Sequence, residues 1–99
     1  MYQDGALIRR PNAKLVLFQG DSITDNYRSQ DCDIALSSGY PSMIAGIAGA
    51  TSKQPYDFMN RGISGNRVVD LLARWKKDCL NLKPDLLSIL IGVNDVWHE

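Results

Sequence analysis

The chain has 99 residues, 44% of them apolar, and its eleven basic side chains balance eleven acidic ones. That length fits one small domain, and that apolar share is ordinary for a globular core and too high for a disordered chain. A formal charge of zero with no like-charge run argues against an electrostatic grip on nucleic acid or on an anionic membrane. The longest apolar runs fall far short of the roughly 20 residues that span a bilayer. With no signal-peptide pattern at the start, a soluble cytoplasmic protein is expected, in which Cys32 and Cys79 are free thiols.

Residues 1–13 read as a polar lead-in without a function, ending in Arg9-Arg10-Pro11-Asn12, where Pro11 resists any strand ladder. Lys14 to Gln19 is a short apolar run with Val16 and Phe18 that stops at Gly20, the pattern of a buried parallel strand. Thr24 to Gly39 is rich in Asp, Ser, Asn and Gln without a steady period, so it predicts a long surface loop with room for one helical turn. Tyr40 to Ala50 predicts a short helix, with Pro41 near its start, Met43, Ile44, Ile47 and Ala48 on one face, and Gly46 and Gly49 as weak points.

A second strand is expected over Tyr56–Met59, followed by a glycine-rich turn at 62–65. The next helix has the clearest period of all. Val68, Leu71, Leu72, Trp75, Cys79 and Leu82 share one face, while Arg67, Asp70, Arg74, Lys77 and Asp78 take the other, and Asn66 is placed to cap the start. Pro84 ends that helix, and Leu86 to Ile91 is a nearly continuous apolar third strand that calls for cover on both faces. The order is β-α-β-α-β, which predicts a flavodoxin-like three-layer α/β/α sandwich around a parallel sheet of order 2-1-3.

Each strand runs into a polar turn: Gly20-Asp21-Ser22-Ile23-Thr24-Asp25, Asn60-Arg61-Gly62-Ile63-Ser64-Gly65-Asn66, and Gly92-Val93-Asn94-Asp95. Ligands of open parallel sheets sit beyond the carboxyl ends of the strands, so the three turns are expected to converge, with Ser22 and Asn94 facing each other where the winding reverses. A serine becomes a nucleophile when a base takes its proton and dipoles receive the charge on the attacked carbonyl oxygen. The backbone N–H groups of Ser22 and Gly65 and the side-chain amide of Asn94 suit the second task, each such donor being worth about 3 kcal/mol of barrier.

In these three blocks the chain resembles the GDSL, or SGNH, hydrolase superfamily of esterases and acylhydrolases over nearly its whole length. The resemblance implies the SGNH hydrolase fold, with Ser22 as nucleophile and first oxyanion donor, Gly65 as second donor and Asn94 as third. It also implies that no metal or cofactor is needed, and that the substrate is a small-molecule or carbohydrate ester with a short acyl group such as acetyl. One block is missing: the family's last motif, Asp-x-x-His, lies near the end of a chain about twice this long. The expectation is therefore the N-terminal portion of a single SGNH domain, residues 1–99, ending after the third strand, without its catalytic His and Asp and inactive alone.

His98 is the only histidine and reads as a pocket-lining loop residue, not as a substitute base. Ser64 is expected to bond local backbone. Asp21 and Asp25 suit turn and cap roles better than metal ligation, since no His or Cys stands at ligand spacing. Asp95 suits a loop-holding role, Trp75 belongs to the core, and Arg28, Tyr27 and Tyr40 are placed by position alone beside the substrate. A rival reading is a noncatalytic half-domain that associates with itself or with a missing C-terminal part through the exposed edge of the third strand. A flavodoxin-like nucleotide binder is disfavoured, because Asp21 and Asp25 put negative charge where a phosphate would sit.

Overall fold

The structure is a computed structural model that describes residues 2–3, 6–7, 12–26, 28, 36, 39–51 and 53–97, the first four and Trp97 by their backbone alone. Its centre is a parallel sheet of three strands, β3 (Lys14–Gly20), β4 (Tyr56–Asn60) and β5 (Leu86–Leu90), in the order β4-β3-β5. This is the expected 2-1-3 order. The lead-in also contains two strands, β1 (Tyr2–Gln3) and β2 (Ala6–Leu7), paired antiparallel, which composition did not suggest.

β3 is buried along its length after Lys14, as a central parallel strand must be. Alternation along it serves both sides of the sheet. Leu15 and Leu17 join Met59 and Cys79 in a core cluster, against which Trp75, Leu82 and Leu87 pack. On the opposite side Phe18 stacks on Phe58 at 6.3 Å and meets Tyr40 edge-on at 5.7 Å. Tyr40 opens α2 (Tyr40–Thr51), which therefore lies over that second face.

The helical segment after the 62–65 turn departs from expectation. It is not one helix but α3 (Val68–Ala73), α4 (Trp75–Asp78) and a 3-10 turn (Leu80–Leu82), with the first break at Arg74. Asn66 does not cap it. The Arg67 N–H is instead met by Asp70, and the Val68 N–H by the carboxylate of Asp95 from the third block, at 3.1 Å. Of the predicted apolar face, Leu71 and Cys79 are buried and Trp75 and Leu82 pack on the core, but Val68 and Leu72 are exposed. Asp78, assigned to the polar face, is buried, because it pairs with Arg61 and Arg74.

β5 also differs. It forms one edge of the sheet, and Leu86, Ile89 and Leu90 are 58%, 48% and 44% exposed, so the cover on both faces that its composition calls for is absent among the described residues. Along α2, Met43, Ile44 and Ile47 are exposed as well. No helix of the described residues is long and apolar enough to cross a membrane.

Candidate active site

Register brings the three blocks to one end of the sheet. Gly20 pairs with Leu90 and Phe18 with Asn60, so β3 and β5 end together, β4 ends two residues earlier, and all three turns leave the same end of the sheet. The second block continues along the first: Arg61 N–H donates to the Phe18 carbonyl at 2.9 Å, and Ile63 N–H to that of Gly20 at 3.0 Å. Gly20 has no room for a side chain, since a Cβ there would lie 2.2 Å from the Leu90 carbonyl oxygen and 2.5 Å from Thr24 Oγ1. Gly62 is equally constrained, with the Asp25 backbone nitrogen 2.7 Å from the corresponding point. The strand-to-turn junctions are thus packed backbone against backbone.

Ser22 starts the single-turn helix α1 (Ser22–Asp25) and is exposed. Asp21 caps that turn, its carboxylate accepting the Ile23 N–H at 3.0 Å. Its charge occupies the helix start, consistent with the expected cap role. As the first helical residue, Ser22 has no carbonyl partner for its own N–H within the turn. Ser22, Ile23, Asn26 and Ser64 line an open depression of about 560 Å³.

Ser64, which lines the depression together with Ser22, belongs to the turn Ser64-Gly65-Asn66, and that turn is held from two sides. Asp25, three residues beyond Ser22 and 5% exposed, accepts the Ser64 N–H at 2.9 Å and the Ser64 hydroxyl at 3.0 Å on one carboxylate oxygen. The predicted local backbone bond of Ser64 is therefore replaced by a link from the second block to the first. The other Asp25 oxygen accepts the Arg28 N–H at 3.1 Å, and Arg28 Nε donates to the Gly62 carbonyl at 2.7 Å. Arg28 is buried behind the turn, not beside a substrate. Tyr40 likewise points inward, its hydroxyl 2.6 Å from Thr24 Oγ1. Tyr27, Cys32 and His98 lie outside the described residues.

Between these anchors Gly65 takes φ +85°, a left-handed conformation that favours glycine, and nothing crowds it. Among the described residues its N–H meets no acceptor, while Ile63, Ser64 and Asn66 all donate theirs. Asn94, in α5 (Val93–Trp97), is buried and donates its side-chain amide to the Asn66 carbonyl at 3.0 Å. That amide carries two hydrogens, so one remains for another acceptor. Asn60, fully buried, completes the frame by donating to the Thr24 carbonyl at 2.8 Å and accepting the Gly62 N–H at 2.9 Å. The structure thus ties the Gly65 turn to Asn94 through Asn66, and to the depression beside Ser22 through Ser64.

Cys79 is a free thiol in the core, and burial pushes its pKa up. No group of three or more His, Cys, Asp or Glu residues able to hold a metal ion occurs among the described residues. Sequence reasoning missed the anchoring roles of Asp25, Arg28, Asn66 and Arg74. Asp25 alone had a local signal, its position one helical turn after Ser22.

A parallel α/β sheet with a serine on a sharp turn at the end of its central strand, and with glycine and asparagine turns at the ends of its two neighbours, defines an α/β hydrolase-type architecture. The sequence model of the GDSL-like lipase/acylhydrolase family matches residues 18–99, and the chain belongs to that family. It is 44% identical over 89 residues to an acetylxylan esterase of Geobacillus stearothermophilus, matching 85% of this chain and 41% of that protein. The crystal structure of that organism's acetylxylan esterase Axe2 superposes with a TM-score of 0.79 at 41% identity, over 90% of this chain and 44% of the other. An α/β hydrolase enzyme from the metagenome of Lake Arreo, Spain, superposes with a TM-score of 0.79 at 37% identity, over 86% of this chain and 42% of the other. The chain therefore spans about two fifths of the length of these relatives, and its fold is the corresponding part of the SGNH, flavodoxin-like sandwich.

Proposed function

We propose that this chain carries the nucleophile and oxyanion site of a serine ester hydrolase acting on short acyl esters of carbohydrate, acetyl esters above all. Ser22 Oγ attacks the ester carbonyl while a base takes its proton, and the negative oxygen is received by the N–H groups of Ser22 and Gly65 and by Asn94 Nδ2. Collapse expels the alcohol and leaves an acyl-serine, which water then hydrolyses. The observation that supports this reading is the turn Ser64-Gly65-Asn66, fastened to the first block by Asp25 and to the third by Asn94, whose Ser64 lines the same depression as an exposed Ser22. The choice of acetylated carbohydrate follows from the similarity to an acetylxylan esterase. The base and its supporting carboxylate are expected from the family's Asp-x-x-His block, in the part of the relatives that these residues do not match, since the Asp95-Val96-Trp97-His98 spacing belongs to the third block. The 99 residues alone should then show no Ser22-dependent turnover.

Two measurements test this. Turnover of p-nitrophenyl acetate by the 99-residue chain should equal that of its Ser22→Ala variant; a Ser22-dependent rate would mean that a base is present after all. Phosphonylation by a fluorophosphonate needs the same removal of the serine proton, so the 99-residue chain should show no labelling selective for Ser22; selective labelling of Ser22 would likewise mean that a base is present.

A second reading has its own support. Leu86, Ile89 and Leu90 on the edge strand, with Val68, Leu72 and Val96 nearby in sequence blocks that flank it, are all exposed. An open apolar edge of this kind favours association with a second copy or with a C-terminal part of the domain.

A further inference from the structure

Deepening the ester-hydrolase reading, on which it rests, we propose that Arg74 is a positioning residue that holds the oxyanion donors Gly65 and Asn94 in register. Arg74 stands at the break between α3 and α4, and its side chain is 13% exposed. From there the guanidinium reaches under the carboxyl ends of the strands. Nη1 donates to the Gln19 side-chain oxygen at 2.8 Å, to the Arg61 carbonyl at 2.8 Å and to Asp78 at 3.2 Å. Nη2 lies 3.3 Å from the Gly20 carbonyl, and Nε donates to Asn66 Oδ1 at 2.8 Å.

These acceptors belong to the parts that must be kept in register. Gly20 is two residues before Ser22, Arg61 opens the second turn, and Asn66 closes it. Asn66 passes the constraint on, because its side chain accepts from Arg74 while its carbonyl accepts from Asn94 Nδ2 at 3.0 Å. One planar cation thus fixes the residue next to Gly65 and, through it, the third donor. The need for it follows from the turn itself. Gly65 is conformationally free, so a peptide that presents its N–H stays aimed only if both neighbours are anchored. Asp25 anchors Ser64 on one side, and Arg74 anchors Asn66 on the other.

The fork geometry explains why the residue is arginine. Five N–H groups in one plane can serve acceptors on several strands at once, whereas a lysine ammonium is a compact charge with three donors. The supports of Arg74 are themselves fixed. Gln19 is fully buried and also donates to the Asp78 carbonyl, and the Asp78 carboxylate is shared with Arg61 at 2.8 Å.

The test uses the ¹⁵N-labelled 99-residue chain as wild type, Arg74→Lys, Asn66→Ala and the double variant, titrated with methylboronic acid, whose adduct with a serine mimics an acetyl tetrahedral intermediate. Asn66→Ala removes the Nε bond to Asn66 and leaves the guanidinium its bonds to Gln19, Gly20, Arg61 and Asp78, so it reports even where Arg74→Lys fails to fold. In a folded Asn66→Ala chain the Asn94 side-chain amide should shift and exchange faster with solvent, and boronate affinity should fall about tenfold, the scale of a weakened oxyanion donor. The double variant should bind no more weakly than Arg74→Lys, because both act through one chain of contacts. A purely structural Arg74 would lower melting temperatures while leaving the Asn94 amide and the boronate affinity of Asn66→Ala within twofold of wild type, and that result overturns the proposal. If the wild type binds no boronate, the ester-hydrolase reading fails by itself, and the Asn94 amide still decides: moved by Asn66→Ala, the clamp stands; unmoved, it falls.

Discussion

Replacing Asp25 with alanine tests whether the site is held by its own polar frame. Among the described residues the change removes three hydrogen bonds at once, from the Ser64 N–H, the Ser64 hydroxyl and the Arg28 N–H, together with an ion pair to Arg28 Nε at 4.0 Å. Bonds to a charged acceptor contribute about 1.5–3 kcal/mol each when buried. Ser64 is exposed and regains water when released, and the Arg28 N–H keeps the Asp25 carbonyl at 2.9 Å. Taking roughly 1 kcal/mol for each bond then gives a loss of about 3 kcal/mol, a large share of the 5–15 kcal/mol that holds an ordinary domain together. Asparagine is a poor substitute, because its one oxygen can face either Ser64 or Arg28 and its NH₂ must then oppose the other N–H. Urea unfolding followed by the fluorescence of Trp75, which packs on the core, should place Asp25→Ala about 3 kcal/mol below wild type, Asp25→Asn nearly as low, and Ser64→Ala within about 1 kcal/mol. An Asp25→Ala chain within about 0.5 kcal/mol of wild type, the range of an ordinary surface substitution, would refute the claim that this carboxylate fastens the second block to the first.

Other substitutions separate glycines that are required from those that are not. Gly20→Ala would push a Cβ to 2.2 Å from the Leu90 carbonyl oxygen, so β3 and β5 must part and the chain should lose at least about 2 kcal/mol in the same urea assay. Gly46→Ala meets nothing within 4 Å in the middle of α2 and should add about 0.5–1 kcal/mol, visible as a melting temperature several degrees higher. Cys79 makes stability pH-dependent: burial raises its thiol above the ordinary 9.0, so the unfolded chain loses that proton first. Its contribution is complete below the unfolded pKa and is lost as pH rises through the folded one, so stability should fall from about pH 9 upward, less steeply in Cys79→Ala. Sedimentation should find the 99-residue chain self-associated, and Ile89→Lys on the exposed edge should shift it toward monomer; a monomeric wild type would end that reading.

The sheet was legible because its signals are local and strong. Lys14–Gln19 and Leu86–Ile91 are apolar runs too short for helices and bounded by glycine or proline, and they became β3 and β5 with boundaries within a residue. The 2-1-3 order followed from the β-α-β-α-β succession, and it set the turns of the first and third blocks side by side. Helical detail was less legible, since periodicity records which residues can share a face and not what covers it. Val68 and Leu72 satisfy the same period as Leu71 and Cys79, yet only the latter pair finds the sheet beneath it. Asp78 escaped for the opposite reason: its partners Arg61 and Arg74 are brought to it by the fold, and a carboxylate buried between two guanidinium groups looks in sequence like any solvated acid.

The same distinction explains why the proposed site residues are easier to pick out than their supports. A nucleophile, a glycine donor and an asparagine would each stand at a strand end, so the candidates Ser22, Gly65 and Asn94 are written as short motifs. Their supports need only reach the site in space. Arg74 is 54 residues from Gly20 and Asp25 is 39 from Ser64, and no pattern along the chain links either pair. Placement by long-range contacts also makes the frame self-contained: among the described residues, the bonds that hold the 64–66 turn come from Asp25, Arg74 and Asn94 of this chain. An oxyanion site assembled this way should keep its geometry in the isolated chain while hydrolysis is absent, so boronate affinity and turnover can be measured as separate quantities on one molecule.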